Sequence, residues 1–168
     1  MPKGLIERCQ ADSIGEFRAA AAERFRDAQA AELAGRRTAA IYLWGYVAEM
    51  TLKAAYFRAV GFAENDPVTP QHRRQAEVEA RQQHFTTSGR SFPHDPLAWA
   101  QLLVWKRASR PGLAYPDPRF GIAVRARAVE IQALWVESLR YHKNVAYPFE
   151  MSRVRAAVTW LFERSLYL

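Results

Sequence analysis

Between Thr38 and Ala55 the chain reads TAAIYLWGYVAEMTLKAA, and four side chains of this stretch are equipped for chemistry. Tyr42, Tyr46, Glu49 and Lys53 fall at i, i+4, i+7 and i+11, so on a helix two phenols, a carboxylate and an ammonium share one face. Glu49 and Lys53 stand in the favourable N-to-C order for pairing across one turn. Two arrangements are open. The stripe can satisfy itself, with Glu49 kept charged by Lys53 or by an arginine from another helix and the tyrosine hydroxyls as further partners. It can instead line a polar pocket in the core, with Glu49 as anchor or base and Tyr42, Tyr46 and Lys53 as binding groups.

A second constellation is LRYHKN, from Leu139 to Asn144. Its Arg140, Tyr141, His142 and Lys143 stand where a helix gives way to a loop, a position that the helix dipole favours for cations. Arg140 and His142 could also bind a phosphate, with His142 as acid or base and Tyr141 and Lys143 beside them. His94, in FPHDPL, precedes a helix start, where it can pack neutral or exchange a hydrogen bond with Asp95. His72 and His84 have no second metal ligand at an informative spacing, so no metal site is expected. No Gly-rich phosphate loop, GxSxG or Cys/His nucleophile pattern occurs, and no cofactor is expected.

The elements that must position these groups read as helices. SIGE, with Ser13 and Glu16, matches a capping box. Phe17, Ala21, Phe25 and Ala28 then recur at helical spacing, Leu33 extends the face, and Gly35 suits the left-handed residue that ends a helix. A second helix from about Arg37 to Val60 is apolar on nearly every side, which marks a central, buried helix. The link is short enough to make the two antiparallel neighbours, a hairpin over residues 12–61. Residues 62–94, with Pro67, Pro70, Pro93, Ser88 and Gly89, read as a polar excursion whose middle can form a short exposed helix. Asp95-Pro96 restarts regular structure as N-cap and first helical residue. Leu97, Leu102, Leu103 and Val104 give that third helix its apolar positions. A fourth runs from about Arg119 to Leu139 on the stripe Val124, Ala128, Ile131 and Trp135. Pro148 opens a fifth, with Met151, Val154, Val158, Leu161 and Phe162 inward. Trp99, Trp105, Trp135 and Trp160 each fall within a helix and read as core rather than as platforms for bases. Period-2 alternation never persists, so the expectation is an all-α, antiparallel bundle of about five helices in a single domain over residues 1–168.

Composition sets the outer bounds. With 49% apolar and 24% charged residues, neither intrinsic disorder nor a membrane class is indicated. The run from Thr38 to Met50 is shorter than the roughly 20 residues a bilayer span needs. The opening MPKGLIERCQADS lacks the apolar core of a signal peptide, and a lone Cys9 forms no internal disulfide, so a cytoplasmic location is expected. Residues 100–168 carry 11 Lys and Arg against 5 Asp and Glu, which accounts for most of the net charge of +7 and could attract phosphate. The bias of 20 Arg to 4 Lys equally fits codon usage.

The first hairpin, EFRAAAAERFRDAQAAELAGRRTAAIYLWGYVAEMTLKAA, resembles the opening of the HEPN superfamily of prokaryotic four- to five-helix domains. HDPLAWAQLL resembles the start of that family's third helix, and WVESLRYHKNVAYPFEMSRVRAAVTWL its fourth-to-fifth helix transition in some members. The likeness covers most of the chain outside residues 62–93. It implies a homodimer with an RNA-linked role: metal-independent cleavage in toxin–antitoxin or phage-defence systems, or pairing with a small nucleotidyltransferase. The family's catalytic signature is an Arg followed after four to six residues by His. Here Arg90 and His94 are separated by three residues, Arg140 and His142 by one, Arg81 and His84 by two. The expectation is therefore a non-catalytic member that binds RNA or a partner. A divergent ribonuclease using Arg140 and His142, with Glu49 or His94 nearby, is the alternative. A third is a small-ligand-binding bundle with a pocket around Tyr42, Tyr46 and Glu49.

Overall fold

A computed structural model of the chain describes residues 11–86 and 89–168; Cys9 and Ser88 lie outside them. Among these residues there are six α-helices and no strand: α1 (Ile14–Leu33), α2 (Arg37–Ala59), α3 (Pro70–Gln82), α4 (Pro96–Ala108), α5 (Pro118–Leu134) and α6 (Pro148–Glu163). Two 3-10 turns, Phe92–His94 and Glu137–Tyr141, join α3 to α4 and α5 to α6. The bundle thus has one helix more than the about five read from the sequence.

Local chemistry sets most helix ends. The Ser13 hydroxyl accepts from the Glu16 amide at 3.1 Å, which is the side-chain half of the expected capping box. Gly35 takes φ +69° and turns the chain from α1 into α2. Asp95 caps α4 by accepting from the Ala98 amide at 2.9 Å, and Pro96, Pro118 and Pro148 each open a helix where no amide donor is needed.

Sixteen of the 23 residues of α2 are buried, so it is the axis of the bundle. It packs along α1, along α4 and along α6, while α5 closes the far side between α4 and α6. Trp44, Leu52 and Phe57 of α2 meet Trp99, Leu102 and Leu103 of α4, Ile131 of α5 and Leu161 of α6 in one apolar core. Phe25 stands edge-on to Trp44 and stacks on Phe162, tying α1 to α2 and α6.

Four expectations need correction. Leu33 does not extend the inner face of α1 and is 90% exposed. It lies one position past the register of Phe17, Ala21, Phe25 and Ala28; Glu32 holds the neighbouring place and pairs with Arg155 at 2.5 Å. Helix α5 stops at Leu134, not Leu139, because Trp135 leaves the helical backbone (φ −115°, ψ 135°) and drives its indole against α2. Trp135 is thus core, as expected, but not helical, and Trp105 and Trp160 are only partly buried. The polar excursion is not peripheral throughout. One side of α3 is buried at Ala76 and Ala80, and Val68 and Phe92 beside it enter the core.

Candidate functional site

The polar stripe of α2 meets both 3-10 turns. Glu49, 3% exposed, receives the Lys53 ammonium at 2.5 Å on one carboxylate oxygen and stands 2.9 Å from His94 Nδ1 through the other. The far side of the ring, His94 Nε2, lies 3.5 Å from a Glu137 oxygen, and the second Glu137 oxygen pairs with Arg140 at 3.0 Å. Lys53, Glu49, His94, Glu137 and Arg140 therefore alternate in charge along a path from the core to the surface. The two carboxylates take opposite nitrogens of the ring, so they do not converge on one point as metal ligands would, and no metal-binding cluster forms among the described residues.

Each group is positioned by packing. Phe92 is buried against Trp99 (ring centroids 4.6 Å apart) and anchors the turn that carries His94. Trp99 also receives the Lys53 ammonium over its face at 5.7 Å, a cation–π contact that helps hold a buried cation. The 137–141 turn is placed by Trp135, whose indole donates to the Tyr42 carbonyl at 3.0 Å from a notch that α2 opens at Gly45. A Cβ on Gly45 would lie 1.9 Å from the Trp135 Nε1, so only glycine lets the two meet. Arg90 donates to the carbonyls of Gln132 at 2.8 Å and Trp135 at 2.7 Å, satisfying the open C-terminal end of α5.

The hydrogen bond to Glu49 raises the His94 pKa; burial opposes the rise, and the charges of Glu49 and Glu137 add to it, with Lys53 acting against them. The shift favours the protonated ring relative to a free imidazole, and a buried carboxylate holds the ring in one orientation. Burial is the chief cause of the raised pKa of Tyr46, helped by its hydrogen bond with Tyr42 and by the nearby carboxylates, so it remains a neutral phenol. Its ring stands edge-on to Tyr42 at 5.0 Å and to Trp135 at 5.6 Å. His94 and Glu137 open onto a cleft of about 190 Å³ lined also by Gly89, Arg90, Ser91 and Ser138. Chemically, a carboxylate-oriented imidazole facing such a cleft can take up or give a proton in a fixed direction.

Of the residues singled out by the sequence, Tyr42, Tyr46, Glu49, Lys53, His94 and Arg140 come together here. His142 and Lys143 stand apart, exposed beyond the end of the 137–141 turn, while Tyr141, also exposed, meets the network only at Arg140. Tyr42, Tyr46 and Glu49 line none of the five clefts described in the molecule. Glu137 and the positioning roles of Arg90 and Gly45 escape a reading of the sequence; the only local signal is the i, i+3 spacing of Glu137 and Arg140.

The loop beyond is pinned to the α1–α2 corner. The Thr38 hydroxyl accepts from the Val145 and Ala146 amides, both at 2.9 Å, and Arg37 Nε donates to the Ala146 carbonyl at 2.7 Å. Asn144 accepts from the Thr38 amide at 3.1 Å and donates to the Gly35 carbonyl at 3.0 Å. On either side of this fixed segment Tyr141, at the end of the 137–141 turn, Tyr147, and Phe149, in the first turn of α6, stand in solvent, 75, 63 and 60% exposed, and the last two rings are nearly parallel (9°) with centroids 5.9 Å apart. The Arg140 guanidinium lies 4.8 Å from the Tyr141 ring centroid. No helix among the described residues is long and apolar enough to cross a membrane. No protein-family model matches this chain, and neither a curated protein nor a solved structure does so.

Proposed function

We propose that the chain is a HEPN-like domain that binds single-stranded RNA through residues 140–149, in the setting of a toxin–antitoxin or defence system. One observation carries the reading: Tyr141, Tyr147 and Phe149 stand exposed on the ten-residue stretch that also carries Arg140, His142 and Lys143, and they flank residues 144–146, which five hydrogen bonds hold. Apolar rings of this size are ordinarily buried, and bases stack on such faces for about 1–3 kcal/mol each whatever their sequence. Cations among them supply the phosphate attraction. A loop already fixed loses little further freedom on binding. Fluorescence anisotropy with a labelled single-stranded RNA tests this. Tyr147→Ala is expected to weaken binding roughly 5- to 150-fold, the equivalent of one lost stacking contact. Unchanged affinity in the variant refutes the site.

A second reading, metal-independent ribonuclease activity, is favoured by the Glu49–His94 pair. In that reading His94, rather than His142, is the acid, since it is the histidine bonded to Glu49. Cleavage that survives EDTA and disappears in His94→Ala supports it; intact RNA after prolonged incubation with the wild type rejects it.

A further inference from the structure

The proton that His94 gains or loses can be placed on one ring atom. Glu49 receives the Lys53 ammonium at 2.5 Å and, as a carboxylate, only accepts. The His94 Nδ1 that stands 2.9 Å from it therefore carries a hydrogen whatever the charge of the ring. Titration falls to Nε2, on the side of Glu137 and the cleft, where the ring is open to solvent.

The charge on Nε2 acts on the turn that Glu137 opens. With the proton on, an N–H of positive charge faces a Glu137 oxygen at 3.5 Å; with it off, a lone pair faces the same oxygen and the two repel. No residue of the Glu137–Tyr141 turn is buried, so packing holds it only lightly. Leu139 leans partly buried on the core, Arg140 shares a hydrogen bond with Tyr42 of α2, and Glu137 meets His94. Of these three ties only the last includes an imidazole, the side chain that titrates near neutrality. The Glu137–Arg140 pair at 3.0 Å lies within the turn and does not fasten it to the core.

The groups that face the ring set the range. Glu49 and Lys53 reach it from α2 and Glu137 from the turn, and the Tyr46 ring stands edge-on at 6.1 Å. Arg90 is committed to the Gln132 and Trp135 carbonyls, and Asp95 to the Ala98 amide. The hydrogen bond to Glu49 is the largest cause of the raised His94 pKa, opposed by burial and by Lys53. The proton is thus kept below that raised value and lost as pH climbs through it, above the ordinary 6.5 of a histidine.

We propose that His94 is a proton-operated clasp on the 137–141 turn: protonated at Nε2 it holds Glu137 and the turn against the core, and neutral it releases them. Resting on the RNA reading of residues 140–149, the clasp makes that site bind more tightly at lower pH, because Arg140 and Tyr141 belong to the turn. The two side chains are 29 and 31% exposed, so solvent screens the pair and release changes affinity by roughly 1.5- to 5-fold.

Methyl relaxation of Leu139 by NMR, beside RNA anisotropy and the ring-proton titration of His94, tests the clasp from about pH 5.5 to about pH 9. The order of the Leu139 methyl groups is expected to fall along the His94 titration. RNA affinity is measured in a His142→Gln background, which removes the exposed histidine of the loop, and is expected to fall over the same range. In Glu137→Gln the side-chain amide accepts from Nε2–H and donates to the bare Nε2, so both pH dependences are expected to disappear. Leu139 order that ignores the His94 midpoint, or a pH dependence that survives in Glu137→Gln, overturns the clasp. A Leu139 response that RNA affinity does not follow overturns its regulatory role. A Leu139 response in a protein that binds no RNA at any pH supports the clasp and refutes the RNA site instead.

Discussion

Replacing Gly45 by alanine sets two physical effects against each other with opposite signs. Helix propensity alone favours the change: an interior glycine costs about 1 kcal/mol relative to alanine. The packing forbids it. A methyl group at Gly45 would lie 1.9 Å from Trp135 Nε1 and 2.1 and 2.2 Å from two further ring atoms, and the indole is wholly buried with its N–H bonded to the Tyr42 carbonyl. Displacing a large aromatic from a core costs about 3–5 kcal/mol, so the net destabilisation is roughly 2–4 kcal/mol. For a domain of this size that lowers Tm by roughly 4–16 °C. Thermal and urea denaturation followed by circular dichroism measure it. The pair can be isolated in a double-mutant cycle: on a Trp135→Ala background, where the clash is absent, Gly45→Ala is expected to be neutral or stabilising by up to about 1 kcal/mol. A Gly45→Ala protein as stable as the wild type would refute the notch as the determinant of where α5 ends. Because Trp135 also places the turn that carries Glu137, the same variant is expected to bring the His94 pKa down, read by NMR titration.

Three further outcomes follow from the polar network and its neighbouring loop. Glu49→Gln leaves the Lys53 ammonium buried without its carboxylate and is expected to cost about 3–5 kcal/mol by urea denaturation; a loss below about 1 kcal/mol would mean that water reaches the pair. His94 contributes stability that is fully present below its ordinary pKa of 6.5 and fades as pH rises through the raised native value. Stability measured across that window is expected to fall with pH in the wild type, by an amount that shrinks in His94→Gln; identical slopes would contradict the assignment. Thr38→Val removes the acceptor of two loop amides and is expected to cost about 2–4 kcal/mol and to speed hydrogen exchange at Val145 and Ala146, whereas unchanged exchange would show that the loop is held by other contacts.

The parts of this fold legible in the sequence are those governed by neighbours along the chain. Ser13, Gly35, Asp95-Pro96 and Pro148 mark helix ends through capping chemistry within a few residues, and the Glu49–Lys53 pair follows from i, i+4 spacing. The all-round apolarity of α2 announced its central place. Interactions between distant segments were not legible. His94 reaches Glu49 across 45 positions, Trp135 enters a notch 90 positions earlier in the chain, and Arg90 closes the end of α5. Each depends on how helices dock, and docking is carried by shape as much as by residue type. Leu33 shows the same limit in reverse: a one-residue drift from the inner register, about 100° around a helix, turns an expected core residue outward.

RNA binding by the 140–149 loop is tested most directly by titrating a labelled single-stranded RNA at several salt concentrations against the wild type, Lys143→Gln and a variant with Tyr141, Tyr147 and Phe149 all changed to alanine. The expected result is saturable binding whose logarithmic salt slope becomes shallower by about 0.7 in Lys143→Gln, with binding lost in the triple variant. Salt-insensitive binding, or binding that survives removal of all three rings, would contradict the assignment.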